Sequence, residues 1–136
     1  MSNIVEVVVA DKNLATMSKG MKASGLEKEL TKEGAFTVFA PSEMAFGKLE
    51  SGVLAGWLQP ENKEKLTNIL NHHIVDGKNN FRDLKDGQKL VTVNGRQLQV
   101  MVNNGEVTIN GAKVQSRDNE ASNGVVHSLD KVIIMN

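Results

Sequence analysis

The stretch that decides the fold is Phe36-Thr37-Val38-Phe39-Ala40-Pro41-Ser42-Glu43-Met44-Ala45-Phe46. Its first five residues are β-branched, aromatic or small, a composition typical of a strand buried on both faces. Pro41 stops this strand because proline has no backbone N–H to donate to a sheet ladder. Ser42 then offers an N-cap for a helix. The segment therefore predicts a central strand that passes directly into a helix.

The residues on either side of this segment have the spacing of helices. Asn3 begins a capping box, and apolar residues then recur at intervals of three and four up to Gly25. Gly25 is placed to end a helix in the left-handed conformation. Pro60 marks another helix start in the second stretch. We expect helices at about residues 3–30 and 42–71.

The chain changes character from residue 72 onward. Leu98, Val100 and Val102 are separated by polar or flexible residues, as in a strand with one face on a core. Helices first and antiparallel strands afterwards predict an α+β fold rather than a parallel βαβ sheet. The hairpin signals between the short β-rich runs are Asp86-Gly87, Asn94-Gly95, Asn104-Gly105 and Asn110-Gly111.

The composition restricts the classes of function. A length of 136 residues predicts a single domain over residues 1–136, and 40% hydrophobic residues suffice for a core. The 16 basic and 16 acidic residues cancel, so no broad electrostatic attraction to nucleic acid is expected. Cysteine is absent, which excludes disulfides and Cys-ligated zinc. Neither a transmembrane segment nor a signal peptide is predicted in this chain.

The histidines do not form a metal motif. His72 and His73 are adjacent and point different ways, and no pattern of the His-x-x-x-His type is present. His73 and His127 lie in otherwise apolar segments, where an unpaired imidazole would be costly. We therefore predict that both hydrogen-bond inside the domain, and we predict no metal and no cofactor.

Catalytic residue types are present without a catalytic pattern. His127, Ser128 and Asp130 are those of a hydrolase triad, but neighbours in a strand face opposite sides. No Gly-x-Ser-x-Gly elbow exposes a nucleophile. Asp118 and Glu120 form an acidic pair in a stretch rich in Asn and Ser, which is typical of a solvated loop. An ordinary strand and loop are the favoured interpretations.

Two segments together resemble the signatures of fasciclin-like domains. Phe36–Phe46 resembles the first and Asn123–Ile133 the second, while Leu70–Gly77 occupies the place of the family's Tyr-His motif. The resemblance runs over about residues 3–135. It implies a single compact α+β domain in which a twisted antiparallel β-wedge packs against a helical layer. The structural signature residues that it implies are Phe39, Pro41, Ser42, Phe46, His73, Asn123, Gly124, His127 and Asp130.

The resemblance also implies a function. The family typically works in adhesion at extracellular or surface-attached sites and has no general catalytic activity. We therefore expect a non-enzymatic cell-adhesion or cell-surface interaction module, monomeric, with a protein or matrix partner. Its expected location is extracellular, periplasmic or at the cell surface. A small-ligand or carbohydrate-binding carrier is the alternative, and a hydrolase is a third, less favoured one.

A partner-binding patch is predicted at His72, Arg117, Asp118 and Asn119, exposed-type residues at positions that the family uses for recognition. His72 stands where the family's Tyr-His motif has Tyr, and Asn119 replaces the Ile of its Asp-Ile pair. Both integrin motifs are thus half kept, which argues against an integrin partner. With no glycosylation sequon present, this pattern fits a bacterial member of the family.

Overall fold

A computed structural model describes residues 3–30, 35–49, 52–93, 95–116 and 119–133. The α-helices are α1 (Ile4–Ala10), α2 (Ala15–Ser24), α3 (Leu26–Glu29), α4 (Glu43–Gly47), α5 (Val53–Trp57) and α6 (Lys63–Asn71). Short 3₁₀ turns cover Lys12–Leu14, Pro60–Asn62 and Phe81–Asp83. The strands are β1 (Phe36–Pro41), β2 (Ile74–Asp76), β3 (Lys89–Val91), β4 (Gln97–Asn103), β5 (Glu106–Ile109), β6 (Ala112–Lys113), β7 (Asn119–Ala121) and β8 (Gly124–Leu129).

The helix ends follow the local sequence signals. Asn3 forms the expected capping box with Glu6 at the start of α1. Gly25 ends α2 in the left-handed conformation, with φ of 80°. Ser42 caps α4, its side-chain oxygen accepting from the backbone N–H of Ala45 at 3.3 Å. The predicted division into helices before residue 71 and mainly strands after it is confirmed, and the fold is α+β.

The strands form two four-stranded sheets, with the orders β2-β1-β8-β7 and β3-β4-β5-β6. Within the first sheet, β1 and β8 are parallel, in a register from Phe36↔Gly124 to Pro41↔Leu129. This pair is the exception to the expected antiparallel wedge. Parallel strands require a long crossover connection, and here helices α4 to α6 and the whole second sheet supply it. The other strand pairs are antiparallel.

Two tight turns join the strands of the second sheet where Asn-Gly pairs predicted them. Asn104 and Gly105 have φ of 52° and 82°, and Asn110 and Gly111 have φ of 50° and 86°. Positive φ at both central residues is the type I′ geometry that suits a two-residue hairpin. Asn94 of the earlier Asn94-Gly95 signal lies outside the described residues.

Strand β1 separates two hydrophobic cores. Val38 and Ala40 face a core built mainly from the helices, whereas Phe39 faces a core built mainly from the second sheet. The first sheet therefore lies between the helical layer and the second sheet. This position explains why the sequence of β1 has no polar face. In the described ranges, no helix has the length and apolarity needed to cross a membrane.

Candidate functional site

His73 is fully buried at the junction of α6 and β2, and both of its ring nitrogens are bonded. Nδ1–H donates to the carbonyl oxygen of Ile69 at 2.7 Å, and Nε2 accepts from the backbone N–H of Ile133 at 2.8 Å. Because Nε2 is an acceptor, the ring is neutral with its proton on Nδ1. The predicted internal hydrogen bonding of His73 is confirmed, and it ties the C-terminal segment to α6.

Charging His73 is expected to destabilise the fold. Burial lowers the pKa of His73 from 6.5 to about 4; the Ile69 hydrogen bond opposes this shift and His72 adds slightly to it. The unfolded chain therefore binds more protons between these values, so stability is complete above about pH 6.5 and falls by about 3 kcal/mol on acidification to about pH 4. Denaturant titrations across this range measure the loss. Ring NMR shifts of folded protein that titrate near the ordinary histidine pKa would contradict the prediction.

His127 is also fully buried and hydrogen-bonded, as predicted. Its Nε2–H donates to the carbonyl oxygen of Asn79 at 2.8 Å, and its ring stacks on Phe39 with centroids 5.5 Å apart. The backbone N–H of Asn79 in turn donates to Thr37 Oγ1 at 2.7 Å. These bonds fasten the loop after β2 over the central strands. His127 is therefore a structural group of the interior.

His127, Ser128 and Asp130, the residue types of a hydrolase triad, each hydrogen-bond to a different residue. Ser128 is 5% exposed, and its Oγ accepts from the backbone N–H of Ser116 at 2.8 Å. Asp130 Oδ1 accepts from the backbone N–H of Lys113 at 2.7 Å. With His127 bonded to Asn79, the three residues do not form a proton-relay arrangement.

The remaining acidic candidates do not form a paired acid and base in the described residues. Glu120 forms an ion pair with Lys78 at 2.6 Å, and Asp118 lies outside the described residues. Among the residues with described positions, no group of three or more His, Asp or Glu is arranged to hold a metal ion.

Asn123 and Gly124 join the helical layer to the central sheet. Asn123 Oδ1 accepts from the backbone N–H of Ile4 at 2.9 Å, and its Nδ2 donates to the carbonyl oxygen of Leu30. The carbonyl oxygen of Asn123 accepts from the backbone N–H of Phe36 at 3.0 Å. Gly124 then begins β8 with φ of 154°, where its Cα lies directly against the backbone of Phe36. These two signature residues act as a clamp between layers.

The structure does not bring His72 and Asn119 together. The sheet register runs Ile74↔Val38↔Val126↔Asn119, so three strand spacings, about 14 Å, separate Asn119 from the strand that follows His72. Arg117 and Asp118 lie outside the described residues. The role of these four residues in partner binding stays a prediction.

The expected exposure of His72 is wrong, because the side chain is 6% exposed. Its Nδ1 is buried without a hydrogen-bond partner in the described part of the chain. Burial and, to a smaller extent, the charge of Arg96 lower the pKa of His72. Both effects disfavour the protonated form of the ring.

The outer face of the second sheet carries an exposed apolar surface that the sequence did not single out. Five large apolar side chains are exposed in the described ranges, and Val91, Val93 and Met101 are three of them. Val91 pairs with Gln97 across the β3–β4 ladder. The apolar residues thus lie among polar ones, of which Gln97 and Gln99 are neutral and Lys89 is charged. We call this surface the exposed sheet face; its residues are Lys89, Val91, Val93, Gln97, Gln99 and Met101.

A second surface feature is a cleft at the carboxyl ends of β1 and β8. Its volume is about 360 Å³. The described lining comes from four separate segments, so no single motif in the sequence could have revealed it. We call it the serine cleft; it is lined by Asn13, Ser42, Met44, Gln115, Ser116 and Ser128.

A family model and two bacterial proteins each match most of the chain. The family model described as Fasciclin domain matches residues 12–135. Protein sll1483 of Synechocystis sp. is 41% identical over 131 residues, which cover 96% of this chain and 72% of that protein. The uncharacterized protein sll1735 of the same organism is 36% identical over 135 residues, covering 99% of both chains.

Animal proteins and a solved structure are also similar. Transforming growth factor-beta-induced protein ig-h3 of Sus scrofa is 35% identical over 135 residues, which cover 98% of this chain and 20% of that protein. A FAS1 domain pair from the insect cell adhesion molecule fasciclin I superposes with a TM-score of 0.88 at 20% identity. The superposition covers 98% of this chain and 51% of that one, so the two share a fold.

Proposed function

Because this chain belongs to the fasciclin domain family, we propose that it is a non-enzymatic adhesion or cell-surface interaction module that binds a protein or matrix partner. The shared fold with a domain pair from an insect cell adhesion molecule supports this assignment. The internal bonding of His73, His127 and Asp130 supports the non-enzymatic part, because each side chain has a structural partner.

The observation that carries the proposal is the exposed sheet face. Val91 is 55% exposed and Met101 is 47% exposed on a regular sheet whose opposite face is packed into a core. Val91 lies opposite Gln97, and Met101 lies four residues further along β4, so Gln97 and Gln99 separate the two apolar side chains on the same face. Exposed apolar side chains with polar neighbours are a feature of protein interaction sites. Gln97 and Gln99 add neutral donors and acceptors between them. A partner docked on this face would contact exposed apolar side chains and the polar side chains around them.

The exposed sheet face extends toward the position of His72. The backbone N–H of Val93 donates to the carbonyl oxygen of Ile74 at 3.0 Å, which places the end of β3 beside the strand that follows His72. Arg96 adds a positive charge at this end. We infer that a partner docked on the face would cover this corner, while Arg117, Asp118 and Asn119 would form a separate contact.

The expected setting of the molecule follows from the same family assignment. Fasciclin domains typically occur in extracellular or secreted proteins, and we propose an extracellular, periplasmic or cell-surface location for this one. We further propose that the domain acts as a monomer.

Attachment to cells of the source organism is expected to depend on the exposed sheet face. Beads coated with the Val91→Ser/Met101→Ser double variant should bind these cells at least about tenfold more weakly than wild-type beads, because two central apolar contacts are lost. The melting temperature should change little, since both side chains face solvent. Bead counts under flow measure the difference.

Val9→Ser is the matched control, because Val9 is 50% exposed on α1, which packs on the opposite side of the first sheet. Its beads should bind like wild type. Equal attachment of the double variant and wild type would move the interaction site away from this face. Turnover of an ester, peptide or glycoside that is abolished by His127→Ala would overturn the non-enzymatic assignment.

A further inference from the structure

Within the described residues, the three serine hydroxyls of the serine cleft act as hydrogen-bond acceptors. Ser42 Oγ accepts from Ala45, Ser128 Oγ accepts from Ser116, and Ser116 Oγ accepts from the Asn119 side chain at 2.7 Å. A hydroxyl has one O–H donor in addition to its acceptor lone pairs. None of these three hydroxyls donates to an acceptor among the described residues. The cleft is therefore lined by three hydroxyl groups whose O–H donors have no acceptor among the described residues.

The burial of two of these side chains makes the arrangement more than a solvated surface. Ser42 is 6% exposed and Ser128 is 5% exposed, so only a small part of each residue faces the cleft. Polar groups that are buried to this degree normally use their hydrogen-bonding capacity. A ligand with hydrogen-bond acceptors in the cleft would bond to these serine O–H groups.

The rest of the described lining is uncharged. Asn13 and Gln115 are exposed and bring side-chain amides, which both donate and accept. Met44 is 56% exposed and brings a flexible apolar side chain that adapts to irregular surfaces. In a chain with 24% charged residues, this lining favours a neutral ligand that has many groups of combined donor and acceptor character.

We propose that the serine cleft binds a neutral saccharide. Sugar hydroxyls accept from the serine O–H groups and exchange hydrogen bonds with the two amides, while the C–H face of a sugar ring packs on Met44. The volume of about 360 Å³ is at the lower end of the range for ligand sites, which fits a short saccharide unit. The cleft is distinct from the exposed sheet face, so this site goes beyond the adhesion function proposed above.

Titration of the isotopically labelled full chain with cellobiose, lactose and mannobiose tests the proposal by NMR. At millimolar concentrations, at least one disaccharide should shift the backbone amides of Asn13, Met44, Gln115 and Ser116, leaving those of Gln97 and Gln99 in place. A parallel arm measures retention of the protein on cellulose and mannan, which distinguishes a free saccharide from a unit of a polymer.

Two cleft variants have matched controls on the exposed sheet face. Gln115→Ala and Met44→Ala should each weaken saccharide binding by at least about fivefold, because each removes a proposed contact with the ligand. The fold should be retained, because no hydrogen bond of either side chain supports it among the described residues. Gln97→Ala and Met101→Ala should leave saccharide binding unchanged. Bead attachment is measured in parallel, so loss of the saccharide site and loss of the sheet-face interaction are separate results.

Each outcome decides the proposal. Binding in either arm that is weakened by the cleft variants supports it. Absence of binding in both arms overturns it, as does binding that the cleft variants leave intact.

Discussion

Gly124→Ala is expected to destabilise the domain by about 2–6 kcal/mol. An added Cβ would lie 1.9 Å from the carbonyl oxygen of Phe36 and 2.7 Å from Ile4 Cδ1, and the first of these atoms belongs to the backbone of β1. The φ of 154° is also unfavourable for an L side chain. Overpacking and backbone strain each cost about 1–3 kcal/mol, and here both act at the point where β8 starts its pairing with β1.

Chemical denaturation of Gly124→Ala and of Gly56→Ala measures this effect against a matched control. Gly56 lies within α5, has no positive φ, and an added Cβ meets nothing within 4 Å. Alanine there should leave stability unchanged or raise it by about 0.5–1 kcal/mol. A typical domain has only about 5–15 kcal/mol of stability, so the soluble yield of Gly124→Ala is a second measure of the loss. A denaturation midpoint equal to that of wild type would show that β1 and β8 move apart at little cost.

Elements with local causes could be predicted from the sequence. The capping box at Asn3, the left-handed Gly25 and the Asn-Gly turns at 104–105 and 110–111 each depend on a few neighbouring residues, and the structure has these features in place. The alternation from Leu98 to Val102 likewise reports one buried face, which needs no knowledge of the partner strand.

The parallel pairing of β1 and β8 could not be predicted in this way. The sequence of β1 shows that both of its faces are buried, and this condition is met equally by parallel and antiparallel neighbours. The partner residues Phe36 and Gly124 are far apart in the chain. Their contact depends on the path of the helices and the second sheet between them.

In the candidate site, too, features with local causes could be predicted, and features that depend on distant segments could not. His73 and His127 could be assigned to the interior because they interrupt apolar runs, and such a polar group must find a partner. The burial of His72 was missed because the residues beside it in the chain do not indicate burial; the charge of Arg96, which helps to lower the pKa of His72, comes from a distant part of the chain. The serine cleft was missed for the same reason, since segments from four parts of the chain line it.

Phe39→Ala is expected to cost about 3–5 kcal/mol, the range for removing a buried aromatic ring. Phe39 is fully buried, belongs to the core under the second sheet and stacks on His127 with an interplanar angle of 24°. Its removal would leave a cavity at the centre of the layers. The neighbouring rings and aliphatic groups are fixed by two sheets, so they have little freedom to fill that space.

Denaturant midpoints of Phe39→Ala, Phe39→Leu and Val91→Ala separate this cavity effect from a general loss of apolar surface. Phe39→Leu keeps most of the side-chain volume and should recover a large part of the loss. Val91 is 55% exposed, so its truncation should stay within about 0.5 kcal/mol of wild type. If Phe39→Ala also lost less than about 1 kcal/mol, the two sheets would not be held together through this ring. The two-core arrangement around β1 would then need another anchor, and Leu129 on the paired strand β8 is the residue to truncate next, because it is fully buried in the same core.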